Sequence, residues 1–232
     1  MMHIKLLKEN QKKLQNQVSD FYTPTGLHVY FKDQFFNDID FEKVISKVES
    51  VIPTHLTSEV EMIIVGHIDD FENNNFNAMY KDGTIYVTNM QDDEEDMIDD
   101  IVHEFAHSVE EPYGMFIYGD SLIKKEFLNK RNILHDILWK SGFKAPKSLF
   151  QNVEYDKQLD DFLYKKVGYD KLSTLISGLF ISTYAPTSLR EYFATAFTDF
   201  YLLPNSQAYI QKVCPQLYKK LFELYSEETL DI

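Results

Sequence analysis

The run from Ile98 to Val109, IDDIVHEFAHSV, constrains this chain more than any other stretch. Ile98, Ile101, Val102, Phe105 and Val109 recur at i, i+3, i+4, i+7 and i+11, which predicts an amphipathic helix with a buried stripe. His103 and His107 stand at i and i+4, one turn apart on one face of that helix. Two imidazoles so placed can hold one zinc ion, and Glu104 beside them can handle the proton of a metal-activated water. The competing reading is structural, with each histidine bonded to a backbone carbonyl and the glutamate incidental.

Zinc needs a third protein ligand and an open position for water. The longer motif with Gly and His after the second histidine fails here, because Glu110 and Tyr113 occupy those places. His135 sits in NILHDILW among Ile133, Leu134, Ile137 and Leu138, and reads better as a core or surface histidine. A carboxylate remains, from Glu110, Glu111, Asp120, Glu126, Glu154 or Glu191. Glu191 stands out, since SLREYFATAFTDFYL is among the most apolar helical patterns in the chain and a lone carboxylate there is costly. Ser188-x-x-Glu191 also fits a capping box, in which the glutamate bonds the cap residue's backbone N–H. Residue pattern alone leaves ligand and cap both open.

Around the motif the chain changes character. Residues 4–18 read as a polar helix, an arm over residues 1–20 outside the core. Residues 27–31 alternate as a strand, 38–51 have helical spacing at Phe41, Val44, Ile45 and Val48, and 61–68 form an apolar strand. Residues 78–80 and 84–87 flank Asp82-Gly83, a hairpin signal. Beyond the motif only helices are expected, over residues 121–140, 156–166, 170–179, 188–203 and 206–224. The prediction is an α+β chain: one domain over residues 21–232, with strands and motif helix in a lobe at 21–112 and a helical lobe at 113–232.

Composition then removes whole classes of function. In 232 residues the net charge is −14, which argues against nucleic acid or an anionic membrane as partner and would suit a basic protein substrate. Aromatic residues at 15% exclude an acidic disordered chain. One cysteine, Cys214, excludes an internal disulfide framework and a Cys-rich metal cluster. No membrane span is expected, and the polar start at residues 1–10 leaves no room for a signal-peptide apolar region. The expectation is a cytoplasmic protein, or one released without a recognisable signal peptide. The acidic run Asp92 to Asp96, then Asp99 and Asp100, suits a helix N-terminus, with calcium or substrate binding as the alternative.

HEFAHSVEEPYG followed by SLREYFATAFTDFYL resembles the catalytic domain of the anthrax lethal factor family and the related Pro-Pro endopeptidases. The resemblance covers the two motif helices and, loosely, the rest from about residue 60, including the closing VCPQLYKKLFEL. It implies a zincin-like fold of gluzincin type and one zinc per chain on His103, His107 and Glu191, with Ala194 and Phe197 in register behind that glutamate. It also implies a catalytic tyrosine seven residues before Glu191, which is Tyr184 in STYAPTS. Two departures stand out. Ala106 replaces a frequent glycine, and the 84 positions from His107 to Glu191 suggest an additional helical insertion within residues 121–170.

The implied activity is that of a zinc metallopeptidase, an endopeptidase acting on a specific protein or peptide substrate. Glu104 serves as general base and then acid, and Tyr184 donates a hydrogen bond to the oxyanion, the alternative being a tyrosine that only anchors its loop. The strand before the metal helix, Ile85, Tyr86, Val87 and Thr88, is expected to bind substrate by strand addition, and Tyr80, Tyr86, Tyr113 and Tyr118 are candidates for lining subsites. Two other readings stay open: a peptidase that cleaves a repressor or regulator, as phage proteases do, and a non-catalytic zinc-binding structural or interaction protein.

Overall fold

A computed structural model describes residues 20–68 and 76–226. The helical arm expected over residues 1–20 therefore lies, but for Asp20, outside the described residues. The described part is a mixed α/β chain, a five-stranded sheet and eight α-helices among the described residues, with a helical C-terminal part. It divides into two compact units between Ser108 and Val109.

In the first unit, β1 (Asp20–Tyr22) and β2 (His28–Phe31) pair antiparallel. A crossover through helix α1 (Phe41–Val51) then brings β3 (Met62–Val65) parallel to β2. The helix begins where the Asp40 carboxylate accepts from Lys43 N–H, and it buries Phe41, Val44, Ile45 and Val48, the stripe its spacing predicts. Strands β4 (Ala78–Lys81) and β5 (Thr84–Val87) form the expected hairpin. Its two loop residues, Asp82 at φ 50° and Gly83 at φ 76°, are both left-handed, as a type I′ turn requires.

The sheet order is β1-β2-β3-β5-β4, so β5 lies inside, parallel to β3 on one side and antiparallel to β4 on the other. That order bears on the strand expected to take up substrate. Ile85, Tyr86 and Val87 are paired on both flanks, Thr88 donates its N–H to Asn77, and Ile85 and Val87 are fully buried. No open edge is left there for a peptide to join. Among the described residues the edge on this side is β4.

Helix α2 (Glu94–Tyr118) carries the motif. Asp93 Oδ1 accepts from the N–H groups of Glu95 and Asp96, at 2.8 and 3.0 Å, and Glu94, Glu95 and Asp96 fill the first turn. That is the capping reading of the acidic run. The helix runs on through Pro112, although a proline costs one ladder bond.

The second unit continues with α3 (Leu122–Lys140), α4 (Lys157–Asp161) running into a π-turn at Phe162–Val167, α5 (Tyr169–Ile176), α6 (Leu189–Leu202), α7 (Gln207–Val213) and α8 (Pro215–Tyr225). The last two were expected as one helix. Pro215 has no N–H to continue α7, yet suits the first position of α8, so the chain turns at Cys214 and starts again. No helix among the described residues is long and apolar enough to cross a membrane.

Candidate metal centre

Helix α2 presents His103 and His107 one turn apart because its other face is committed to burial: Met97, Ile101, Val102, Phe105 and Ala106 are all 1% exposed or less. The two imidazole rings have their centroids 5.1 Å apart at 76°. Glu104, between them in sequence, is itself 8% exposed, and its Oε2 accepts the backbone N–H of Tyr80 on β4 at 2.6 Å. A carboxylate in so little water needs such a donor.

Glu191 is the third residue of α6. Ser188, nearly buried, caps that helix by accepting Glu191 N–H on its hydroxyl at 3.1 Å, so one arm of the capping box is present. The carboxylate goes elsewhere as well: His103, His107 and Glu191 each offer one ligand atom, and these atoms all lie within 4.8 Å of one another. All three side chains are half-buried. Two imidazole nitrogens and a carboxylate oxygen are a donor set that suits a borderline divalent ion such as zinc. The residues fit the group.

Tyr184 lies in the loop leading to α6. Its carbonyl accepts from both the N–H and the hydroxyl of Thr187, at 2.9 and 2.8 Å, and Ser182 Oγ accepts from Ala185 N–H at 3.1 Å. The loop is thus tied by its backbone. Burial first, and then the negative charge of Glu191, push the Tyr184 phenol far above its ordinary pKa. The hydroxyl keeps its proton and sits within electrostatic reach of the Glu191 carboxylate.

His135, Asp120, Glu126 and Glu110 are engaged elsewhere. His135 contacts Ala145 O and Asp136 and packs on Trp139 and Phe150. Asp120 pairs with Lys220, Glu126 accepts from Tyr192 and Gln216, and Glu110 accepts from Arg190 and Tyr118. Among the tyrosines proposed for subsites, Tyr118 is spent on Glu110, while the Tyr80 hydroxyl accepts Gly83 N–H in the hairpin.

Two arrangements near the motif, though not their carboxylates, escaped sequence reasoning. Asp100 accepts from Gln91 Nε2 at 3.0 Å, and burial, aided by the charges of Asp99 and Glu104, pushes its carboxyl up to about 6. The signal was its position one turn before His103 and Glu104 on the same helix. The second group is Glu110 with Arg190, signalled by their positions three residues after His107 and one before Glu191. Comparison with protein-family profiles, with curated proteins and with solved structures finds no match to this chain.

Proposed function

We infer that the chain is a zinc-dependent endopeptidase of zincin-like design, with His103, His107 and Glu191 as the ligands of one zinc ion. The observation that carries the reading is the convergence of these three donor atoms from residues far apart in sequence, with Glu104 on the same helix turn. When bound, zinc supplies Lewis acidity toward a peptide carbonyl and brings the pKa of water to about 7.

The chain's own residues do the rest. Glu104, oriented by Tyr80 N–H, takes the proton of the attacking water and delivers it to the leaving amine. Tyr184, kept protonated by burial, donates its O–H to the developing oxyanion. An extended substrate pairs with the edge strand β4 rather than with β5, and β4 is the strand whose Tyr80 already holds the general base. The single contact Tyr80 N–H to Glu104 thus links where a peptide would lie to where its proton would go.

The test is cleavage of a diverse peptide library by the zinc-loaded chain, with and without a chelator, beside Glu104→Ala. Chelator-sensitive cleavage that the variant lacks supports the peptidase reading. A chain that binds zinc tightly and cleaves nothing across a broad library and candidate basic proteins is a zinc-binding structural protein instead.

A further inference from the structure

One residue before the third ligand, Arg190 extends from α6 to Glu110 of α2, Nε to Oε2 at 2.7 Å. The other oxygen of Glu110 accepts the Tyr118 hydroxyl at 2.5 Å, two turns further along α2. The Glu110 side chain is 8% exposed, so this ion pair is shielded on the carboxylate side, while the Arg190 side chain is 56% exposed. Such a geometry does more than a surface ion pair, whose two long side chains keep most of their freedom. With both carboxylate oxygens engaged, Glu110 has one orientation, and the guanidinium that meets it is a planar, directional donor.

The placement matters because of what flanks it. Glu110 follows His107 by three residues on the same continuous helix, and Arg190 directly precedes Glu191 in the first turn of α6. A carboxylate ligand must be held to within a fraction of an ångström, and a capped helix end can still rock about its cap. The Ser188 hydroxyl fixes the backbone of Glu191; the Arg190–Glu110 bond fixes the rotation of that turn against the ligand-bearing helix.

We propose that Arg190 and Glu110, buttressed by Tyr118, are positioning residues that set the third ligand, Glu191, in register with the histidine helix; this rests on the reading of Glu191 as a zinc ligand. They touch neither the ion nor substrate. Their work is to keep the ligand set preorganised, which raises affinity by sparing the ion the cost of gathering its ligands.

Zinc affinity, measured by competition with a chromogenic chelator, tests this without any substrate. Arg190→Gln and Glu110→Gln should each weaken zinc binding by ~10–100-fold, the usual cost of losing a group that orients a ligand. Tyr118→Phe should weaken it less, and Arg190→Lys, which keeps the charge without the fork, should fall between Gln and the parent. The decisive measurement is made in a Glu191→Gln background: there the Arg190→Gln change should cost less than about twofold more, because residues acting through one ligand are not additive. Should Arg190→Gln, which leaves the shielded Glu110 carboxylate without its cation, fail to fold, Glu110→Gln and Tyr118→Phe carry the test, since neither leaves a buried charge unpaired: Arg190 is more than half exposed. Parent zinc affinity in the Arg190 variants overturns the proposal and leaves the metal centre standing; so does full additivity with Glu191→Gln. A parent chain that binds no zinc, or one indifferent to Glu191→Gln, overturns the metal centre itself and the proposal with it.

Discussion

In the proposed mechanism Glu104 must be buried enough to be basic and still meet water; it is 8% exposed, and its carboxylate accepts the Tyr80 N–H. Glu104→Ala should therefore keep zinc affinity and fold while cutting turnover by ~10²–10⁴-fold, read as kcat beside a zinc titration. If the Tyr184 hydroxyl acts only as the oxyanion forms, Tyr184→Phe should lower kcat by ~10²–10³-fold with KM and zinc content little changed. If kcat holds, Tyr184 belongs to its loop alone. Asp100 gives a pH signature. Its carboxyl rises from 3.8 to about 6 on folding, so between those values the folded chain binds the proton that the unfolded chain has lost. Its contribution to stability is fullest below about pH 4 and is lost as pH climbs through 6. Asp100→Asn should thus stabilise the metal-free chain at pH 7, on the order of 1–3 kcal/mol, and much less at pH 4, by urea unfolding at both. At this scale the placement of His103, Glu104 and His107 on one helix was legible because i, i+4 spacing is local. Asp100 was not, since a carboxyl in an acidic run looks the same in sequence whether water surrounds it or not.

One helix end in the second unit is satisfied from another helix. Glu126 of α3 accepts from the Tyr192 hydroxyl of α6 at 2.8 Å and from Gln216 and Leu217 N–H of α8 at 2.9 and 3.4 Å. One carboxylate thus caps the positive end of α8, whose own first residue is proline, and joins three helices. Glu126→Ala should cost ~2–4 kcal/mol of unfolding free energy in urea, with Glu126→Gln milder because the amide oxygen can still accept. The helices themselves were readable, since periodicity and Pro or Gly breaks lie within a few residues of each other. Their lining was less so. In α3 the buried positions run Ile123, Phe127, Lys130, Arg131, Leu134 and Leu138, spacing that marks a core stripe with two cations standing in it. Reading hydrophobic residues alone passes over both, although the interval pattern contains them. Sheet order is the opposite case. Each strand was visible, but that β5 goes inside and β4 to the edge depends on pairing with β3, some twenty residues away, which no local pattern encodes.

Across the whole molecule, a ligand that binds only the folded state raises its melting point by mass action. Zinc at about a hundred times its Kd should add ~2.7 kcal/mol. For a chain of this length that is about 5–10 °C in calorimetry. His107→Ala should abolish the shift while leaving the metal-free melting point near that of the parent, since the side chain is half-buried and off the apolar stripe. The net charge of −14 adds a second global expectation: the chain repels itself, so moderate salt should raise the metal-free melting point as it screens that field. Lys130 has a use at this scale that follows from where its amine ends. It donates to Leu179 O and Val213 O, at 2.7 and 2.6 Å, and the residue is 8% exposed. An amine-directed acylating reagent will modify the exposed lysines of the native chain and pass this one by until the helices part. Mass spectrometry of the peptide carrying Lys130 then counts unfolded molecules one acyl group at a time, a clock for opening built into the protein without any added label.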